Sequence, residues 1–211
     1  MAKLDLKKEY RQLYNPSSKE CSIVDVPEMQ FLMIDGAGDP NTSVAYAEAI
    51  EALYAMAYTL KFISKMTEDV DYTVMPLEGL WWTFDMGEFS MDDKSAWEWT
   101  AMIAQPDHIT AAQVAAATDE VRKKKDPPAL RRIRYEPYAE GLAAQILYSG
   151  PYADEAPTIE RLHRFATDNG YQLRGKHHEI YLSDPRRTAP ERLRTVIRQP
   201  IERSPTSSDH G

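Results

Sequence analysis

The two halves of this chain carry the same kinds of residues in the same order. Ile103-Ala104-Gln105-Pro106 closes the first half, and Ile197-Arg198-Gln199-Pro200 closes the second. A glycine turn follows the first predicted strand of each half, at Gly36 and at Gly150. Matched order over most of a chain indicates an internal duplication. The fold is therefore expected to consist of two related units.

Each half is predicted to begin with a strand and a helix and to continue with further strands. In the first half the strands are expected at residues 29–35, 72–75, 80–84 and 97–104, with helices from 41–43 to about 66 and at 110–125. In the second half a strand at 139–149 and a helix at 155–168 precede strands at 171–173, 177–182 and 193–198. The fold class is α+β, with two duplicated strand-helix-strand-strand modules.

The predicted domain organisation has three parts. Residues 1–22 form a polar N-terminal arm, and residues 23–201 form one domain with pseudo-repeats at about 23–106 and 135–201. Residues 202–211 include the stretch RSPTSSDHG, whose composition is typical of a disordered tail.

Composition argues against several classes of function. The formal net charge is −8, which argues against general binding to nucleic acid because phosphate contacts need concentrated Lys and Arg. The single cysteine, Cys21, permits neither an intrachain disulfide nor a cysteine-based zinc site. The most apolar stretch is interrupted by Glu48, Glu51 and Lys61, so we predict no membrane span and a cytoplasmic protein.

The stretch GKHHEIYLSDP, residues 175–185, is the most informative local motif. Strand alternation places Glu179 and Tyr181 on one face with His177, and Ile180 on the other face with His178. The first face either meets water or lines a pocket. Where two duplicated sheets join, the uncovered faces of their middle strands form a cleft. The other side of that cleft is expected to be the segment 78–82.

Glu179 and Tyr181 are the predicted catalytic residues. A carboxylate enclosed by aromatic rings has its pKa raised by desolvation, which suits a general acid or base. Alternatively it stays ionised and binds a cation. The Tyr181 hydroxyl suits stabilisation of an oxygen that gains negative charge. A solvated Glu179 and a packed Tyr181 are the structural alternatives.

The predicted ligand-binding residues are mostly aromatic. They are Glu78, Trp81, Trp82, Trp97, Trp99, Tyr148 and Tyr152. Trp81 and Trp82 point to opposite faces of a regular strand, so at most one of them lines the cleft. Aromatic side chains at these positions are as typical of a core as of a wall that holds planar or cationic ligands.

Glu78 is expected to be the counterpart of Glu179 in the first half, at the rim of the cleft because Gly79 suggests a turn. His177 and Glu179 share a face, but no third ligand stands at a suitable spacing, so no metal is predicted. The chain contains no glycine-rich phosphate loop and no GxSxG motif, and no cofactor is predicted.

Four motifs resemble the GyrI-like small-molecule-binding proteins, which share a fold with the effector-binding domains of multidrug-sensing and AraC-type regulators. They are PLEGLWWTF from Pro76, WEWTAMIAQP from Trp97, ILYSGPY from Ile146 and GKHHEIYLSDPRRTAPERLRTVIRQP from Gly175. The resemblance covers residues 24–201. It implies a pseudo-twofold axis, a ligand cleft between the modules, and hydrophobic or cationic small molecules as partners with a buried Glu as the charge partner.

The sequence contains no segment typical of a DNA-binding module, so a stand-alone member is expected. Some stand-alone members with similar Trp-rich and HHEIYL-like motifs hydrolyse cyclopropanoid natural products or isothiocyanates. The resemblance therefore implies a detoxifying hydrolase. The alternative is a non-catalytic protein that sequesters small molecules or inhibits a protein partner.

Overall fold

The structure, a computed structural model, describes residues 3–83 and 94–205. The strands are β1 (Ser22–Val26), β2 (Met29–Ala37), β3 (Leu77–Trp82), β4 (Glu98–Gln105), β5 (Arg134–Tyr138), β6 (Gly141–Ser149), β7 (Tyr171–Leu173), β8 (His177–Tyr181) and β9 (Arg194–Arg203). The helices are α1 (Leu6–Glu9), α2 (Arg11–Tyr14), α3 (Val44–Thr67), α4 (Ala111–Lys124) and α5 (Ala156–Asp168). Over the described residues this is the predicted mixture of helices and strands.

The nine strands form one sheet in the order β1-β6-β9-β8-β3-β4-β2-β5, with β7 paired to β9. Its strand pairs are antiparallel. The two halves of this order match when they are followed outward from the contact between β3 and β8. On one side stand β3, β4, β2 and β5, and on the other side stand their counterparts β8, β9, β6 and β1. The predicted duplication and its pseudo-twofold axis are therefore confirmed, and the axis lies between β3 and β8.

The edge strands interlock the two halves. β1 precedes β2 in the chain but pairs with β6, whereas β5 precedes β6 but pairs with β2. Neither strand was predicted from the sequence. β5 contains Pro137, and a proline inside a strand is tolerated mainly at a sheet edge, where one side of the backbone needs no partner.

Two helices cover the same face of the sheet, which we call the helix face. Tyr46 of α3 packs on Trp99 of β4, with ring centroids 5.0 Å apart. Leu162 of α5 packs in a core cluster with Ile197 of β9, whose register partner on β8 is Glu179. Both helix predictions hold, and α3 begins after Ser43, whose side chain accepts a hydrogen bond from the Tyr46 N–H.

The N-terminal segment covers the opposite face, which we call the arm face. Leu6, Leu13 and Tyr14 are buried there as parts of the short helices α1 and α2. The Arg198 guanidinium on β9 donates a hydrogen bond to the Leu13 carbonyl oxygen over 2.8 Å. The polar arm predicted at residues 1–22 is thus packed against the core through Leu6, Leu13 and Tyr14, and Ser22 already belongs to β1.

One predicted strand is wrong. Residues 72–75 make only an isolated bridge between Tyr72 and Leu4. Side chains of α3 donate hydrogen bonds to the backbone here, Lys61 to the Tyr72 carbonyl and Ser64 to the Val70 carbonyl just before the segment, and the Thr73 N–H donates to the Leu4 carbonyl of the arm. The segment therefore connects α3 to the arm and does not extend the sheet.

Other element boundaries shift by a few residues. β3 begins at Leu77, earlier than the predicted strand 80–84, whose residue Phe84 lies outside the described residues. β9 runs to Arg203 and pairs there with β7, so the tail predicted from residue 202 begins inside a strand. Within the described ranges, no helix is long and apolar enough to cross a membrane.

Candidate functional site

The site is built on β8, beside the pseudo-twofold axis. Gly79 of β3 is paired with Glu179, and Trp81 with His177, so these residues share the helix face. His178 and Ile180 point to the arm face with Leu80 and Glu78. The predicted alternation of side chains along 177–181 is therefore present in the structure. Glu179 is 6% exposed, which leaves the solvated alternative without support.

Two neighbours on the same strand hold the Glu179 carboxylate. Its Oε1 lies 3.1 Å from His177 Nε2, and its Oε2 accepts a hydrogen bond from the Tyr181 hydroxyl over 2.7 Å. Burial favours the neutral acid, but the hydrogen bond and charge of His177, followed by the hydrogen bond from Tyr181, lower the pKa of Glu179. Of the two predicted alternatives, a raised pKa or a carboxylate that stays ionised, the lowered pKa favours the second, because His177 and Tyr181 oppose the effect of burial.

A second acid lies beside the first. Glu155, at the start of α5, is 1% exposed. Burial and then the negative charge of Glu179 raise the pKa of Glu155 to about 9, against the weaker effect of the adjacent Thr195 hydroxyl. Within the described part of the chain, Glu155 Oε1 and Thr195 Oγ1 are buried without a hydrogen bond of good geometry. The site therefore has unused capacity for hydrogen bonding.

Aromatic rings enclose the two acids. The Trp81 indole donates a hydrogen bond from Nε1 to the Tyr181 hydroxyl over 3.1 Å. The ring contacts, given as centroid separations, are Trp81 to Trp97 at 5.3 Å, Tyr46 to Trp81 at 5.6 Å, and Tyr152 to Tyr181 at 5.6 Å. Lys94 Nζ lies 4.9 Å from the centroid of Trp97. Such surroundings suit planar and cationic groups.

Two glycines make room for the tryptophans. A Cβ atom at Gly36 would lie 2.2 Å from the ring of Trp99, and one at Gly79 would lie 2.7 Å from Trp81 Nε1. Each indole therefore lies against bare backbone. Both glycines were predicted to mark turns, but they lie inside β2 and β3 because the strands extend further than their apolar pattern indicates.

The predicted ligand-binding aromatic residues do not all meet at Glu179. Trp81, Trp97 and Trp99 belong to the helix-face cluster, where Trp81 and Trp99 are register partners. Trp82 points to the opposite face, where Lys176 Nζ lies 3.3 Å from its ring centroid. Tyr148 is on the helix face, but its hydroxyl donates to the Pro151 carbonyl oxygen and braces that turn.

Glu78 does not lie with Glu179. It is 1% exposed on the arm face, where its carboxylate accepts a hydrogen bond from the Tyr14 hydroxyl over 2.9 Å and lies 3.0 Å from His178 Nε2. The expectation of a rim position in the same cleft is wrong. The register pairs Gly79, not Glu78, with Glu179, and a shift of one residue moves a side chain to the other face.

The arm face holds a separate buried charge network. Glu140 Oε1 lies 2.9 Å from His178 Nδ1, and Glu140 Oε2 accepts a hydrogen bond from Arg198 Nη1 over 3.1 Å. Burial disfavours a charged imidazole, but the charge and hydrogen bond of Glu140, with those of Glu78, raise the pKa of His178 to about 9. His178 and Arg198, in turn, outweigh burial and lower the pKa of Glu140 to about 2.

Residues 3–83 and 94–205 contain no cluster of three or more His, Cys, Asp or Glu side chains placed to hold a metal ion. Within this part of the chain, His177 and Glu179 contact each other instead.

Comparison with known proteins agrees with this fold. A family model described as a GyrI-like small molecule binding domain matches residues 19–202. The chain belongs to this family. A search of curated protein sequences gave no match.

Three solved structures illustrate the range of similarity. An uncharacterised conserved protein from Listeria innocua is 39% identical, with a TM-score of 0.88, over 95% of this chain and 100% of that chain. A hydrolase from Listeria innocua is also 39% identical over the same shares, with a TM-score of 0.85. The C-terminal domain of EcmrR, 12% identical with a TM-score of 0.54 over 88% of this chain and 98% of that one, shares the fold.

Sequence reasoning missed two residues of this GyrI-like site, Glu155 and Tyr46. An acid at the start of a helix is ordinary, because the helix dipole favours negative charge there, so Glu155 gave no distinct signal. Tyr46 is in the first turn of α3, and burial followed by the charge of Glu179 raises the pKa of its hydroxyl. Only the fold shows that the first turns of α3 and α5 both reach β8.

Proposed function

We propose that this protein binds hydrophobic, electrophilic or cationic small molecules on the helix face and hydrolyses strained or electrophilic ones. The observation that carries the proposal is the Glu179 carboxyl group, buried beside aromatic rings and oriented by His177 and Tyr181. Small-molecule binding is a property of the family to which the chain belongs. The hydrolysis and its substrate class are our inference.

Binding uses the aromatic cluster and the carboxylate together. The indoles of Trp81 and Trp97 and the phenol of Tyr152 offer polarised ring faces and edges, which attract planar groups and cations. The negative charge of Glu179 adds Coulomb attraction in a site from which water is largely excluded. A rigid, flat, partly cationic ligand therefore matches this site well.

Hydrolysis would use Glu179 as a general base. Its carboxylate takes a proton from water while the water oxygen bonds to the electrophilic carbon, and the electron pair of the broken ring bond moves to a carbonyl oxygen. Once Glu179 is protonated, it needs the Tyr181 hydrogen bond less, so the Tyr181 hydroxyl can donate to that oxygen. A general base of this kind typically contributes about 10²–10⁴-fold in rate. No covalent enzyme intermediate is required.

Two relatives support this direction. Two Listeria innocua proteins described as hydrolases are 39% and 37% identical to this chain and cover 95% of it. Hydrolysis of reactive compounds would make the protein a detoxifying enzyme.

A binder without turnover is the second candidate. The lowered pKa of Glu179 favours it, because a carboxylate that holds its charge firmly is a good cation partner and a weak base. Binding alone needs only the aromatic cluster and this charge, whereas hydrolysis also needs a water molecule beside Glu179.

Tryptophan fluorescence against a small panel separates the two candidates. The panel contains a rhodamine-like cation, benzyl isothiocyanate and a cyclopropane-containing dienone, each followed for hours by mass spectrometry. We expect quenching by all three and a product heavier by one water from the dienone. Turnover that persists in Glu179→Gln and Tyr181→Phe, with the fold intact, would contradict the catalytic roles. Quenching without any product would leave the binder.

A further inference from the structure

Glu155 is buried beside Glu179, and its side chain does not cap the helix that it begins. It is the N-cap residue of α5, yet its side chain makes no capping hydrogen bond to that helix. Its backbone carbonyl accepts hydrogen bonds from the N–H groups of Thr158 and Ile159 over 2.8 and 3.0 Å, which fixes the start of the helix. The side chain makes no capping hydrogen bond, and it is buried near Thr195 and Glu179.

The two acids differ in their partners. Glu179 has the His177 imidazole and the Tyr181 hydroxyl on its two oxygens. Glu155 has neither, and its Oε1 has no hydrogen-bond partner within the described residues. Glu155 and Glu179 are 1% and 6% exposed, and Tyr152, three residues before Glu155, packs on Tyr181 beside Glu179. Two neighbouring buried carboxyl groups whose charges oppose each other do not both ionise, so they share one proton. The proton resides on Glu155, because ionisation is supported more strongly at Glu179, by His177 and Tyr181.

Titratable groups from several elements face Glu155. Glu179 and Tyr181 lie on β8, Tyr148 on β6, Tyr152 in the short helix Tyr152–Asp154, and Lys94 in the segment before β4. Only Lys94 is cationic. Burial and the Glu179 charge outweigh it and raise the pKa of Glu155 to about 9, which agrees with a proton held at neutral pH.

We propose that Glu155 is the general acid of the reaction that Glu179 begins, an inference that rests on the proposed hydrolysis. Glu179 takes the proton of the attacking water, and the carbon–oxygen bond forms as the ring bond breaks. The electron pair of that bond moves to the substrate oxygen, and Glu155 gives this oxygen its proton. The proton on Glu179 then passes to Glu155, so the two acids again hold one proton between them.

The proposal predicts which substrates need Glu155. A carbonyl oxygen that becomes a basic enolate requires a proton as the ring bond breaks, whereas one that becomes a stabilised phenolate, as in the dienone, does not. Rates for substrates that give an enolate should therefore depend strongly on Glu155, and the rate for the dienone weakly.

The test compares the wild-type protein with Glu155→Gln, which keeps the shape of the neutral acid but has no proton to give. Glu160→Gln, an exposed acid of the same helix, is the control. For a cyclopropyl ketone, whose ring opening gives a basic enolate, we expect kcat to fall about 10²-fold or more with KM little changed. The alkaline fall of the wild-type rate near the Glu155 pKa of about 9 should also disappear. Glu155→Asp should restore part of the rate.

Outcomes for the two proposals are distinct. If the wild type hydrolyses the dienone and the cyclopropyl ketone and Glu155→Gln matches it at every pH and for both substrates, the general-acid role is wrong and the proposed function stands. If the wild type hydrolyses nothing, both fall. Infrared spectroscopy of the wild type reports the proton directly, through a carboxylic-acid carbonyl band at neutral pH. Absence of that band, or its persistence in Glu155→Gln, would overturn the assignment of the proton.

Discussion

The buried acids on the two faces of β8 differ in how completely they are hydrogen-bonded. On the arm face, Glu78 and Glu140 meet His178 and Arg198, so two acids face two bases in a hydrogen-bonded network. On the helix face, Glu155 and Glu179 face one histidine, and the Glu155 Oε1 atom has no partner among the described residues.

This difference separates a structural network from a site. A buried network whose members are all paired fixes one arrangement and has little left to offer a ligand. Unpaired buried polar atoms and strongly perturbed acids cost stability, and they concentrate where binding or catalysis needs them. By this criterion β8 fixes the arm with one face and presents a functional site with the other.

The largest effect on stability is expected from Arg198→Met on the arm face. It leaves Glu140 with one cationic partner and removes the hydrogen bond to the Leu13 carbonyl. Breaking a buried ion pair from one side costs about 3–5 kcal/mol, because the remaining charge is left uncompensated. Urea unfolding measures the loss, and Arg192→Met, at an exposed position, is the control. Equal losses in the two variants would show that the network does not stabilise the fold.

A smaller loss is expected from Tyr14→Phe, which removes the hydroxyl that the arm donates to Glu78. Leaving a buried acceptor without this donor costs about 1–3 kcal/mol. Urea unfolding again gives the value, with Tyr58→Phe on the exposed side of α3 for comparison. Limited proteolysis should cut the arm of Tyr14→Phe faster. An arm cleaved at the wild-type rate would mean that this contact does not hold it.

The pH dependence of stability should distinguish the acids of the two faces. Glu155 keeps its proton to about pH 9 when folded but to only about 4.5 when unfolded, so its stabilising contribution is complete below pH 4.5 and declines as the pH rises to 9. Glu140, with its pKa lowered to about 2, stabilises above pH 4.5 and loses its contribution as the pH falls through 2.

His178 also loses its contribution as the pH rises from 6.5 to 9, so the informative quantity is the difference between wild type and variant. The unfolding free energy of the wild type minus that of Glu155→Gln should fall as the pH rises from 4.5 to 9. The same difference for Glu140→Gln should fall as the pH decreases below 4.5, where the contribution of His178 is already complete. Unfolding free energies measured across this range supply both curves. A parallel course for the two variants would contradict the distinction between the faces.

The smallest effect is expected at Trp82. Its ring lies on the face opposite Glu179, against Lys176, so Trp82→Phe should leave ligand affinity within about twofold. Trp97→Phe replaces the indole that packs on Trp81 beside the site by a smaller phenyl ring. It should weaken binding of an aromatic cation about tenfold. Fluorescence anisotropy of a rhodamine-like cation gives both affinities. The reverse order would place the ligand on the other face.

Sequence reasoning succeeded where one strand or one repeat contains the information. Alternation along β8 is local, so it placed Glu179 and Tyr181 together, and the repeated order predicted the paired modules. The face of Glu78 depends on the register between β3 and β8, which a pattern within one strand does not contain. Glu155 reaches β8 only because α5 begins above it, a long-range relation that no local signal carries.

The measurement that tests the account most directly compares Glu179→Gln with Glu78→Gln. Both replace a buried carboxyl group by an amide on adjacent central strands, but on opposite faces of the sheet. Formation of the hydrated dienone is followed by mass spectrometry in both proteins, with circular dichroism to establish that each is folded. We expect product formation to fall about 10²–10⁴-fold in Glu179→Gln and to persist in Glu78→Gln. Turnover retained by Glu179→Gln and lost from folded Glu78→Gln would place the functional site on the arm face and contradict the account.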